Sequence, residues 1–162
     1  MKNIFLLIVL GLMACQEKEE EELSLFVGTW KVSQMGKYQS AACSGDINDS
    51  EWRGLKGKGL TITLEIKKDG TGTQTITGPD PSVTTFVWYD VGESFCFNNG
   101  CYQYELTNNN KIFSINNKIE ATCIDENYKI TGSTSKKSCE QASTSNQWNP
   151  KECHKVKYNK ET

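Results

Sequence analysis

Among the residues of this 162-residue chain that could do chemistry, cysteines dominate: seven occur, and six of them are Cys43, Cys96, Cys101, Cys123, Cys139 and Cys153. An even set in an exported domain reads as a disulfide framework, and six cysteines allow 15 connectivities. One pair follows from local geometry. Ser94-Phe95-Cys96-Phe97-Asn98-Asn99-Gly100-Cys101-Tyr102 has the pattern of a hairpin with an Asn/Gly turn. That turn sets Cys96 opposite Cys101, at a spacing that suits a disulfide. Cys139–Cys153 would staple a polar loop, and Cys43–Cys123 would follow by elimination. A metal site is not expected, because Cys-x4-Cys lacks the tighter paired spacing of zinc sites and the chain has a single histidine, His154.

Other reactive patterns are absent from the sequence. A nucleophile needs a tuned base beside it, and His154 stands alone. Asp46-Ile47-Asn48-Asp49-Ser50-Glu51 offers oxygen ligands without the spacing of a calcium loop, and reads as the start of a helical turn. Gly54, Gly57 and Gly59 precede no Gly-Lys-Ser/Thr, so they make no phosphate loop. The expectation is a protein with no catalytic residues, no metal and no cofactor.

The elements that would carry these residues are strands. Leu60, Ile62, Leu64 and Ile66 alternate with Thr61, Thr63, Glu65 and Lys67, the period of a half-buried strand. Further strands are predicted over 26–33, 71–77, 84–91, 94–97, 101–107, 111–116, 118–124, 128–131 and 152–158, with Asn-, Asp- and Gly-rich turns between. Residues 41–58 and 133–150 are polar; the first reads as a mobile connection and the second as a long loop or a partly disordered segment. The predicted fold is all-β: an antiparallel meander of about eight strands, closed or nearly closed into a barrel so that no edge is left exposed.

Residues 1–14 predict an address. Lys2 is followed by the apolar run Ile4-Phe5-Leu6-Leu7-Ile8-Val9-Leu10, too short to span a bilayer as a helix. Leu12, Ala14 and Cys15 then resemble the lipobox of bacterial lipoproteins. The resemblance implies a signal peptide over 1–14 and lipidation of Cys15, with palmitate-type chains that hold the protein to a membrane. Residues 15–22 form an acidic tether that extends ~26–29 Å at roughly 3.3–3.6 Å per residue. Cys-Gln followed by Lys and a run of Glu is similar to the export signal of surface lipoproteins in the Bacteroidetes. It implies the outer face of the outer membrane, with a periplasm-facing anchor as the alternative.

Residues 23–162 form the remaining domain. Two of the 18 basic and five of the 20 acidic residues precede it, which leaves 16 and 15 and a net charge of +1. That balance, with Arg53 as its single arginine, argues against nucleic acid as a partner. Lys136, Lys137, Lys151, Lys155, Lys157 and Lys160 make the tail mildly basic.

Leu25-Phe26-Val27-Gly28-Thr29-Trp30-Lys31-Val32 resembles the Gly-x-Trp opening of lipocalins, and more closely that of lipocalin-like lipoproteins of Bacteroidetes. Ile66-Lys67-Lys68-Asp69-Gly70-Thr71-Gly72 and Phe86-Val87-Trp88-Tyr89 are similar to the later pattern. The resemblance implies that Trp30 plugs the closed barrel end under a cation from the last strand. No arginine follows Arg53, so Lys155 or Lys157 is expected to stand in. Two functional classes follow. In one, the barrel binds a small apolar ligand against Phe86, Trp88, Tyr102 and Tyr104, unless these rings simply fill the core. In the other, a filled barrel presents its long loops to a protein or glycan partner.

Overall fold

Period-2 alternation sets the architecture. The computed structural model describes residues 24–98 and 100–161. The signal peptide, Cys15, the tether and Leu23 lie outside them, as does Asn99 of the expected hairpin turn. Strands β1 (Gly28–Ser40), β2 (Ser44–Asn48), β3 (Thr61–Ile66), β4 (Thr71–Thr77), β5 (Ser82–Val91), β6 (Ser94–Phe97), β7 (Gly100–Thr107) and β8 (Ile112–Ile119) follow in order. Strands β9 (Thr122–Ile124), β10 (Gln147–Asn149) and β11 (Glu152–Lys160) come after them, and helices α1 (Ser50–Gly57) and α2 (Lys136–Ala142) fill the two long connections.

Eight strands run β1-β3-β4-β5-β6-β7-β8-β11, all antiparallel, and β11 pairs back onto β1. The result is a closed, lipocalin-like barrel. The seam carries Trp30 opposite Lys160 and Val32 opposite Tyr158, with a register shift between Val32 and Gln34. Beyond the shift, β1 leaves β3 and takes β2 as its second neighbour. One side of each strand supplies the core: Leu64 and Ile66 from β3, Phe86 and Trp88 from β5, Phe113 and Ile115 from β8. Burying each such side chain stabilises the fold by about 1.5–3 kcal/mol.

Two connections depart from the sequence reading. The expected turn at Asn116-Asn117 is absent, because β11 pairs β8 residue by residue from Ile119↔Glu152 to Ile112↔Asn159. Tertiary pairing there overrides a local turn preference. The expected strand 118–124 is therefore split: its start ends β8, and β9 leaves the barrel to pair with β10. Of 128–131, only Ile130 makes an isolated bridge, to Ile124. Residues 133–150 are ordered rather than loose. Ser135 caps α2 by accepting from the Ser138 backbone N–H, and Trp148 of β10 sits opposite Cys123 of β9. Residues 41–58 carry β2 and α1, and Trp52 of α1 is buried with its indole N–H on the Ser33 carbonyl at 3.1 Å.

Among the described residues the six cysteines form three disulfides. Cys96–Cys101 joins opposed residues of the β6–β7 hairpin, as expected. The other two pairs correct the sequence reading: Cys43 bonds Cys153 and Cys123 bonds Cys139, in place of Cys139–Cys153 and Cys43–Cys123. The β9–β10 pairing carries Cys123 to α2, which claims Cys139. Cys153 then lies on β11 beside the β1–β2 turn, where Cys43 adopts a left-handed φ of 61° and folds back toward the seam.

Candidate functional site

The barrel has two unlike ends. At the Trp30 end, Phe26 crosses beneath the strands and packs on Phe95 and Tyr104 at 4.8 Å and on Phe113 at 5.0 Å between ring centroids. Trp30 is fully buried, and its indole N–H donates to the Phe26 carbonyl at 2.6 Å. The cation over its ring is Lys160, 5.1 Å from the centroid, rather than Lys155 or Lys157. Alternation explains the correction: Val156 and Tyr158 pack toward the core, and Lys160 shares their phase on β11. The Lys160 ammonium also donates to the Leu25 carbonyl at 3.2 Å.

At the other end the wall is incomplete. The Trp88 backbone N–H donates to Gly70 at 2.8 Å, so even-numbered residues of β5 direct their backbone groups at β4. Odd-numbered residues face the opposite edge, where Val87 accepts from the Asn98 backbone N–H at 2.9 Å. The short β6 ends at Phe97, opposite Trp88. Beyond it, no described residue pairs with the second edge of Ser82–Thr85. Strand β7 in turn meets β8 only between Tyr104↔Ile115 and Thr107↔Ile112. The β6–β7 hairpin thus leaves a gap in the wall between the upper halves of β5 and β8.

Behind this gap lies a cavity of about 210 Å³. Leu64, Phe86, Phe95, Phe113 and Ile115 form its walls, Tyr158 closes one side, and Gln74, Thr84, Phe97 and Asn98 frame the opening. Thr84 shares the inward phase of Phe86 and yet is exposed, which marks where the cavity meets solvent. Tyr158 is 7% exposed and stacks on Phe113 at 5.2 Å. Burial pushes its phenol well above the ordinary range, so the hydroxyl stays protonated.

Of the four expected wall residues, only Phe86 lines this cavity. Trp88 is fixed nearer the closed end, its indole N–H donating to the Lys67 carbonyl at 2.8 Å and the Thr71 carbonyl at 3.1 Å. Tyr104 stands edge-on to Phe26, and Tyr102 stacks on Phe97 at 5.0 Å behind the rim. Sequence reasoning missed Gln74, Thr84, Asn98 and Tyr158. The available signal was polarity in an apolar phase: Gln74 alternates with Gly72 and Ile76, and Thr84 with Phe86.

Gly72 sets the Phe86 ring in place. The two residues face each other across β4 and β5, and a Cβ on Gly72 would lie 2.3 Å from Phe86 Cζ and 2.9 Å from the Glu65 carbonyl oxygen. Gly72→Ala is therefore expected to cost about 1–3 kcal/mol and to drive the Phe86 ring into the cavity. Urea denaturation checks this prediction, and an Ala variant as stable as the parent would contradict it.

A broader groove of about 430 Å³ lies outside the barrel between Met35, Trp52, Leu55 and the start of β11. Its Glu152 carboxylate pairs with the Lys37 ammonium and with His154 Nε2, which lies 2.9 Å away. These hydrogen bonds, Lys37 first, hold the Glu152 carboxyl below the usual range. The three groups satisfy one another, and His154 has no nucleophile beside it among the groups it bonds. The barrel cavity, mostly apolar with a few polar lining residues, is the stronger candidate site.

Fold and site together define a closed eight-stranded antiparallel barrel with a side-opening apolar cavity. Comparison of the chain with protein-family models, curated proteins and solved structures found no match.

Proposed function

We propose that the protein is an exported, lipid-anchored carrier whose barrel holds a small apolar molecule. The observation that carries this reading is the cavity of about 210 Å³, walled by apolar side chains and open to solvent beside Thr84. Sites for small molecules are concave and mostly apolar, with a few placed polar groups. The anchor rests on the sequence: the lipobox-like Leu12, Ala14 and Cys15, and the acidic tether that follows. Three disulfides in one domain accord with an oxidising compartment outside the cytoplasm. Outer-membrane attachment with the barrel on the cell surface is the favoured placement, with a periplasm-facing anchor as the alternative. The reading is of a binding protein, supported by a cavity whose described lining is mostly apolar.

Native mass spectrometry of the full chain, extracted from cell membranes, tests the proposal. The parent is expected to carry a small-molecule adduct that Thr84→Phe, which narrows the opening at an exposed position, removes. A parent that shows only the mass of the bare chain would sink it.

A second reading has an observation of its own. Val83, Val87, Tyr89 and Val91 are all more than half exposed on the outer side of β5. Both long connections are ordered and tied down by disulfides. Such a surface suits a protein or glycan partner, and it is compatible with a loaded barrel.

A further inference from the structure

We propose that the cavity selects an uncharged, planar aromatic molecule of one or two rings bearing a hydrogen-bonding group, admitted sideways through the gap between β5 and β8. The inference rests on the carrier reading and specifies its ligand. Size sets the first limit. A cavity of about 150 Å³ holds benzene, so the 210 Å³ here has room for a fused two-ring molecule and little more. A long alkyl chain would have to project through the gap into water.

Shape and charge set the second limit. Five of the lining side chains are aromatic and two are aliphatic, so flat apolar faces dominate the wall. Aromatic pairs gain about 0.5–1.5 kcal/mol beyond their buried area when offset or edge-on. Among the described residues, no Lys, Arg, His, Asp or Glu lines the cavity. An ionised ligand would lose its hydration with no counter-charge to receive it, which strongly disfavours carboxylates and amines.

Polar groups set the third. Gln74, Thr84, Asn98 and Tyr158 are the polar residues that line the cavity. The Tyr158 hydroxyl is the most sheltered of the four, on a side chain more than nine-tenths buried. Among the described residues no side-chain nitrogen or oxygen is both buried and unpartnered, so this hydroxyl faces the open cavity and can hydrogen-bond a ligand there. A phenol, indole or similar neutral ring meets all three limits.

Calorimetric titration of the full chain with 2-naphthol, 2-naphthoate and decanoate tests the inference. The expected result is saturable binding of 2-naphthol, with 2-naphthoate at least about 100-fold weaker because its carboxylate meets no cation. Tyr158→Phe keeps the ring stack on Phe113 and should weaken 2-naphthol by about threefold to tenfold, the worth of one hydrogen bond. Gln74→Leu serves as a second probe of the polar end if Tyr158→Phe fails to fold. Equal affinity for 2-naphthol and 2-naphthoate, or decanoate binding blocked by Thr84→Phe, would overturn the ligand class while leaving the carrier reading intact. No binding of any of the three would overturn the class and the carrier reading together.

Discussion

Replacing both Cys43 and Cys153 by serine is expected to be the most damaging of the three disulfide deletions. The bond spans a sequence separation of 110, against 5 for Cys96–Cys101 and 16 for Cys123–Cys139. In the chain-entropy description a loop of that length is worth roughly 5 kcal/mol, and a loop of about 15 residues roughly 3 kcal/mol. Topology points the same way. Cys43 sits in the turn that follows β1 and Cys153 lies near the start of β11, so the bond locks the pair of strands whose contact closes the barrel. Without it the unfolded chain regains its longest loop, and the seam loses its upper fastening. Urea denaturation of the three double-serine variants checks the ranking. A Cys43/Cys153 variant that unfolds at the parent's midpoint would contradict it.

Trp30→Ala should cost about 3–5 kcal/mol, the range for removing a large aromatic from a core. A domain of this size is held by only about 0.05–0.15 kcal/mol per residue, so the loss removes a large share of its stability. Three interactions go together. The Phe26 carbonyl loses its donor at 2.6 Å, Phe113 loses an edge contact at 5.7 Å, and Lys160 loses the ring beneath its ammonium. Phe26 itself is 1% exposed and packs on four aromatic rings, so its displacement would propagate through the closed end. Trp30→Phe should cost less, because the plug persists while the indole N–H is lost. Denaturant midpoints for the two variants make the comparison, and an Ala variant within 1 kcal/mol of the parent, on the order of a surface substitution, would argue that Trp30 plugs nothing.

The barrel was legible because its strands keep strict alternation. Leu60 to Lys67 announces one inward phase, and Phe86 with Trp88 announces another. The β6–β7 hairpin was legible because Asn and Gly tolerate the turn geometry, and Asn98 does adopt a φ of 52°. What the sequence hid was tertiary. Asn116 and Asn117 look like a turn in isolation, but the long β11 needs a full-length partner and pulls them into β8. The disulfides at Cys123 and Cys153 depended on β9 leaving the barrel, which no local pattern signals.

The site was harder to read than the fold. Aromatic residues mark the core and the cavity alike, so Trp88 and Tyr104 could not be told from Phe86 by type. Their difference lies in height along the barrel, which the register fixes: Trp88 lies opposite Phe97 at the tip of the hairpin and is tied to Lys67 and Thr71, whereas Phe86 lies beyond that tip. Tyr158 was hidden for another reason. Its role depends on β11 returning to β1 to close the barrel, a contact 126 residues away from Val32 in sequence that strand periodicity alone cannot supply.

The most direct measurement is a methyl-labelled NMR titration of the full chain with 2-naphthol. Leu64 and Ile115 line the barrel cavity, whereas Met35 and Leu55 line the outer groove. Saturable shifts of the Leu64 and Ile115 methyls, with Met35 and Leu55 unmoved and the response lost in Thr84→Phe, are the predicted result. Shifts confined to Met35 and Leu55 would place binding outside the barrel and contradict the cavity as the functional site.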